Sequence, residues 1–335
     1  MPVEVSAAKL YPAYFLVSVS TRENLELCIK HGLAGFPGGE SGAWTYCEIE
    51  QGDLLSFLYG ARAHNLYRVT KREAIRDAGT LGPWKPLTFR ETGKTYYFPF
   101  RLHLQPIRVF NEPLVRAEFA YVAENLLLRG GYSKTHFQAD QTTLQSVSEM
   151  GTLAKGAPVP FPAGEHTTFT PRFTRSKELV KTPEVSRFKE TILQSAIRRH
   201  LTSETNLQML LNWFALKEIR AGELETLGEK ALPEGHIDLL VKQRVPLGSG
   251  PRIPIEVKTK KAQSKDLYQL QGYVNELRGE CPIGLLIAAD FNKSVAREAK
   301  GLGIGLVRYT LNSDLKTALA FEEIWQGLTL EPLEK

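Results

Sequence analysis

With 335 residues, 42% of them hydrophobic, the chain is long enough for about two ordinary domains with real cores. Its formal net charge of +5 is a mild basic excess, which admits a nucleic-acid partner without requiring one. Three widely spaced cysteines, Cys28, Cys47 and Cys281, exclude a disulfide framework and a zinc-ligand cluster. The N-terminus shows no charged-then-apolar signal segment, and no apolar run approaches the ~18 residues of a membrane span. A soluble, cytoplasmic protein with no membrane partner is expected.

In chain order, residues 14–19 read as a buried strand and 22–31 as a helix carrying Leu25, Cys28 and Ile29 at helical spacing. A glycine-rich loop running from Gly32 through Gly38, Gly39 and Gly42 contains Phe36 and Trp44. Residues 52–59 and 65–69 read as paired strands of a small barrel, 71–78 as helix-like, and 96–104 as a further strand. Most aromatics here are expected to pack the core. Phe36 and Trp84 differ, because each lies among glycines and prolines, where a large ring tends to be presented rather than enclosed. Two such rings can clamp a flat base, with stacking contributing ~1–3 kcal/mol and hydrogen bonds to the base edge adding selectivity.

Residues 116–128 have helical periodicity through Phe119, Val122 and Leu126, followed by a polar, basic loop. There Lys134 and His136 are candidates for phosphate contact, with a solvated loop as the plainer account. Residues 151–184, rich in proline and poor in periodicity, predict a linker between an N-terminal domain over 1–150 and a C-terminal one over 185–330. Beyond it the pattern is helix over 183–200, helix from Ser203, strands at 224–230, 235–242 and 252–258, helix over 265–278, strand over 283–290, helix over 293–302 and strand over 304–310. The last two strands are apolar on both faces and are placed centrally in the sheet.

Asp238 falls on the second of those strands, and Glu256 and Lys258 lie two apart on the third, so these two share a face. Carboxylate oxygens suit magnesium, and a nearby ammonium can orient a water or offset charge on a phosphate. A Glu-x-Lys triplet alone commonly marks only the solvated face of an edge strand. The surrounding pattern gives it meaning.

Two resemblances follow from these residues. Residues 14–32 with 52–57 and 65–69 resemble the YTH and EVE group of PUA-like domains over roughly the first third of the chain. That likeness implies an α+β N-terminal β-barrel domain reading a modified base in an aromatic cage, YTH domains reading N6-methyladenine. By motif position it implies Asn24 as the polar cage residue, Ser20 as its neighbour and Trp84 as one wall. The family's other tryptophan falls where this sequence offers Leu33 and Phe36, with Trp44 further on.

Residues 185–312 resemble the PD-(D/E)XK nuclease superfamily, an α/β fold with a mixed central sheet. Gly-His-Ile-Asp-Leu-Leu from Gly235 and Ile-Glu-Val-Lys from Ile255 are similar to its NucS and RecB-like branches. This implies Asp238 and Glu256 as ligands of Mg2+ or Mn2+, Lys258 beside the attacking water, and Gln269 with Tyr273 on the next helix. It also implies a further helix acid. Glu204 is preferred over its rival Glu190, because both are spaced to face inward but the residues after Ser203 look like a NucS-type helix start. Together the halves imply a modification-dependent restriction endonuclease for double-stranded, modified DNA, with a homodimer expected for cutting both strands. The alternatives are a NucS-like repair nuclease for mismatched or branched DNA and a non-catalytic reader of modified RNA or DNA.

Overall fold

The structure is a computed structural model that describes residues 11–88, 93–116, 119, 135–181, 183–232, 235–246, 248 and 250–333. Tyr14–Ser18 (β1) is apolar along almost its whole length because it lies inside a sheet. It pairs parallel with Leu54–Tyr59 (β3) and antiparallel with His136–Ala139 (β6). Between them, Arg22–His31 (α1) starts on the Thr21 side chain, which accepts from the Asn24 N–H, and stops at left-handed Gly32. Leu33–Phe36 (β2), Arg62–Ala74 (β4) and Phe100–Val109 (β5) complete a curled sheet in the order β5-β4-β3-β1-β6, with β2 on β5.

Three sequence expectations are corrected here. The glycine-rich loop is not a loop: after β2 it forms Glu40–Glu48 (α2). Gly42 permits this, since a Cβ there would lie 2.0 Å from the Pro37 carbonyl oxygen. The helix expected over 71–78 is instead the end of β4, paired with β5 from Lys71↔His103 to Ala74↔Phe100. Pairing with a long neighbouring strand outweighs local propensity. His136, expected in an exposed loop, is buried on β6 against the Trp44 ring at 4.5 Å and within 2.9 Å of Thr45 Oγ1. Lys134 and most of the helix expected over 116–128 lie outside the described residues.

The proline-rich stretch runs along this first sheet as extended chain. Thr152–Leu153 pairs with β5, the Val159 N–H donates to the Lys30 carbonyl, and Phe169 N–H to that of Ala74. Its fastening is chemical as well. Buried Glu73 accepts from Lys71 Nζ at 2.9 Å and meets His103 Nε2 and His166 Nε2 at 3.1 Å each. Burial alone raises a carboxyl's pKa, but these donors outweigh it and hold Glu73 down at about 2. His166 is raised, first by its bond to the Gly164 carbonyl and then by Glu73. The depressed acid supports folding above its ordinary value near 4.5 and loses that support as pH falls towards 2. The raised histidine supports folding below 6.5 and loses it as pH rises through its folded value. Proteolysis within 151–184 is therefore expected to quicken between about pH 6 and about pH 9, and His166→Ala to show the faster rate at both. Equal rates for the wild type at the two pH values would count against the latch.

The chain then enters its second half through Arg172–Thr174 (β7) and Val185–Arg187 (β8), paired parallel. Glu190–Leu201 (α4) and Glu204–Trp213 (α5) follow, α3 being Gln141–Glu149 in the first half. Leu224–Leu232 (β9), Gly235–Gln243 (β10), Arg252–Lys261 (β11), Gly284–Asp290 (β12), Ile304–Leu311 (β13) and Leu328–Pro332 (β14) form one mixed sheet in that order. Ser264–Leu277 (α6) crosses from β11 to its parallel neighbour β12, and Lys293–Leu302 (α7) from β12 to β13. The two doubly apolar strands, β12 and β13, are internal.

One hydrophobic cluster spans both halves. Helix α2 lies on α4, where Trp44 Nε1 donates to Ser195 Oγ at 2.8 Å and Glu48 pairs with Arg198, both buried. Arg199–Glu50 and Lys189–Glu40 flank them. At the far end, Gln138 of β6 accepts from the Gly228 N–H at 2.8 Å and donates to the Thr226 carbonyl at 3.4 Å, both on the outer edge of β9. Lys242 bridges Asp140 at 2.9 Å and Glu225 at 3.4 Å.

Candidate active site

Three neighbouring elements deliver the site. In β10 and β11 alternate side chains face opposite ways, so Asp238 reaches β11 while Glu256 and Lys258 stand on one face of it. Asp238 Oδ2 accepts from the Val257 N–H at 2.7 Å, which fixes the first acid against the strand carrying the second. Lys258 Nζ donates to Glu256 Oε1 at 2.7 Å and to Glu190 Oε1 at 3.2 Å. Glu190 opens α4 and points the helix's first turn at the strands.

The charge here is frustrated. Glu256 is 1% exposed, and its Oε2 has no hydrogen-bond partner among the described residues. Burial, with repulsion from Glu190 and Asp266, raises its pKa to about 7 despite Lys258. Burial and then Glu256 push Asp238 well above the carboxylate range. The carboxylates in turn outweigh the burial of Lys258 and hold its ammonium charged.

The expected helix acid is corrected. Glu204 sits in the first turn of α5, against Gly222, in a separate polar cleft with Glu225 and Arg244. Glu190 is the acid that reaches Lys258, because α4 and not α5 packs across β11. Glu190→Gln is expected to lower any phosphodiesterase turnover at least ten-fold, with Glu204→Gln within two-fold of wild type. The reverse order in a side-by-side cleavage assay would sink this assignment.

Gln269 and Tyr273 lie one turn apart on α6, as their spacing implies. Gln269 Nε2 donates to Tyr273 Oη at 3.1 Å, and that hydroxyl donates to the His236 carbonyl at 2.9 Å. The pair thus anchors β10 two residues before Asp238. Asp266, buried at the start of α6 and bonded to the Gln263 N–H at 2.8 Å, adds negative charge near Glu256. The sequence reading missed it, and its only signal was an acid in a helix's first turn. It also passed over Lys260, Lys261 and Lys265, which with Lys258, Glu190 and Gln269 line a cleft of about 410 Å³. The basic run from Lys258 to Lys261 was the signal for the first two.

Among the described residues no three His, Cys, Asp or Glu side chains close round one point as a metal cage. Asp238 and Glu256 form a two-carboxylate half-site of hard oxygens with one buried oxygen unpartnered, and that donor set fits a magnesium-type cation.

The aromatic residues proposed for a base cage separate in the structure. Phe36 is 1% exposed in the shared core, and Trp44 is held between His136 and Ser195, so neither ring is presented. Both were misjudged because their glycine-rich surroundings form β2 and α2. Trp84 is also mostly enclosed, at 7% exposure. It lies over Gly35, where a Cβ would come within 2.4 Å of the ring, and its indole lies beside the Cys28 thiol. Asn24 is one turn before Cys28 on the same face of α1, and its Nδ2 donates to Ser20 Oγ at 3.4 Å. Trp84, Asn24 and Ser20 therefore share one end of the first half.

No family model matches the chain, and no curated protein matches it. Among solved structures it is similar to EndoMS in complex with double-stranded DNA, at 23% identity and a TM-score of 0.22, over 30% of this chain and 42% of that one. A repair endonuclease from Pyrococcus abyssi matches at 18% identity and a TM-score of 0.23, over 30% and 43%. The YTH domain of a Zygosaccharomyces rouxii protein in complex with N6-methyladenosine RNA matches at 11% identity and a TM-score of 0.27, over 45% and 96%. The chain thus spans about two fifths of the endonuclease chains it matches. At TM-scores this low the side-chain roles rest on the geometry above. No helix among the described residues is long and apolar enough to cross a membrane.

Proposed function

We propose that this chain is a divalent-metal-dependent endonuclease acting on DNA, with target choice made by its N-terminal half. The observation that carries the reading is the cluster of Asp238, Glu256, Glu190 and Lys258, of which Glu190 and Lys258 line a lysine-rich cleft while Glu256 lies buried and Asp238 half-buried behind them. Asp238 and Glu256 would hold Mg2+ or Mn2+, which supplies polarisation of the scissile phosphate and a more acidic water. Lys258 keeps a fixed positive charge where negative charge builds on the phosphate, and Glu190 fixes that ammonium from the other side. Gln269 and Tyr273 hold β10 in register so that Asp238 stays beside Val257.

The finer reading is a restriction-type enzyme in which Trp84, Asn24 and Ser20 take up a flipped, modified base, best matched by N6-methyladenine, a modified cytosine being the other candidate. It is supported by the shared placement of those three residues. Adenine-methylated plasmid should be cut in Mg2+ and spared in EDTA, with unmethylated plasmid at least ten-fold slower. Equal cutting of both plasmids would remove the reader role and keep the nuclease. The enclosure of Phe36, Trp44 and Trp84 favours a second reading, a repair nuclease for mismatched or branched DNA. Faster cutting of mismatched than of methylated duplex would select it.

A further inference from the structure

We propose that the exposed face of α6 is a platform for one strand of the nucleic acid beside the cleft, a base stacking on Tyr268 and neighbouring phosphates lying on Lys260 and Lys265. This rests on the cleft being a phosphodiester-hydrolysing site. Tyr268 is 60% exposed, and it shares a turn of α6 with Lys265 and Gln269, both of which line the cleft. Its ring is pinned. The hydroxyl donates to Glu298 of α7, a carboxylate that also faces Ser264 at the start of α6. An exposed aromatic side chain already fixed in place loses little freedom when a flat partner settles on it. One turn further on is Gly272, where an added Cβ would meet nothing within 4 Å, so the outer side of the ring stays low and open.

Charge identifies the occupant. Lys260 and Lys265 are exposed and have no ion-pair partner among the described residues, whereas Lys261 is engaged by Asp290 at 2.9 Å. An exposed aromatic face on the helix that borders a cleft with unpaired ammonium groups matches a base whose neighbouring phosphates enter that cleft. Stacking tolerates every base, so the platform would hold and orient the strand without choosing its sequence.

The test is binding of a fluorescent duplex oligonucleotide with an unpaired single-stranded tail to the full chain carrying Asp238→Asn, followed by anisotropy over a range of salt. Adding Tyr268→Ala should weaken binding about ten-fold without changing the slope of affinity against salt, while Tyr268→Phe should stay within two-fold. Lys260→Ala and Lys265→Ala should each reduce that slope by about 0.7. Unchanged affinity in Tyr268→Ala, or unchanged slopes in both lysine variants, would overturn the platform. If the Asp238→Asn chain binds no nucleic acid and the wild type cuts none, it is the nuclease reading that fails.

Discussion

Asp238→Asn is expected to reduce DNA cleavage by roughly a thousand-fold or more while making the metal-free protein more heat-stable. The amide keeps an oxygen to accept from the Val257 N–H, so β10 and β11 stay joined. It removes one of two carboxylates that burial has set against each other. Glu256 carries a folded pKa of about 7 against an ordinary 4.5, and Asp238 is raised as well. An acid whose folded pKa is raised costs stability once it ionises. The cost is absent below about pH 4.5, grows as pH rises through 7 and is full above it. At about pH 8 the variant should melt roughly 2–4 °C higher than wild type, with the gain gone below about pH 3.8, the ordinary value of the carboxyl removed. Wild-type cleavage rates in the variant, or lost activity with a lower melting temperature, would refute the assignment.

The second large effect lies at the seam between the halves. Glu48 and Arg198 are both almost wholly buried, and Glu48 Oε2 and Arg198 Nη1 have no hydrogen-bond partner among the described residues. A buried pair of this kind has each charge offset chiefly by the other. Arg198→Met should therefore cost about 3–5 kcal/mol in urea unfolding, since it strands a carboxylate in the core. Glu48→Leu should cost a similar amount. The double variant should recover most of the loss, because two apolar side chains leave no charge to solvate. Additive losses would show that the ion pair is incidental. Cleavage should fall in the single variants too, as the same α4 carries Glu190 at its start.

The second half was easier to read than the first, and particular residues show why. Its order of helices and strands along the chain follows from helix periods alternating with apolar runs, and Glu256 and Lys258 share a face because strand alternation fixes which way they point. Choosing between Glu190 and Glu204 needed tertiary information. Each opens a helix with the same inward spacing, and only the packing of α4 across the sheet decides. In the first half, glycines that look like loop residues serve close approaches instead: Gly42 lets α2 sit on the Pro37 carbonyl, and Gly35 lets Trp84 lie on the backbone. Neither use leaves a periodic trace. The proline-rich stretch looks unstructured because its bonds go to distant residues such as Lys30 and Ala74.

Gln138 has a consequence for assembly. By giving Gly228 and Thr226 the bonds that another strand would give, it closes the β9 edge of the sheet from within the molecule. At the opposite edge, β14 ends in exposed Glu331 and then Pro332, a charge and a residue with no N–H to offer. Both borders are thus blunted against strand addition, by an internal plug on one side and by sequence on the other. Two copies cutting opposite strands would have to be gathered by the duplex or by their helices, and a sheet continuous across two molecules is not the form such a pair would take.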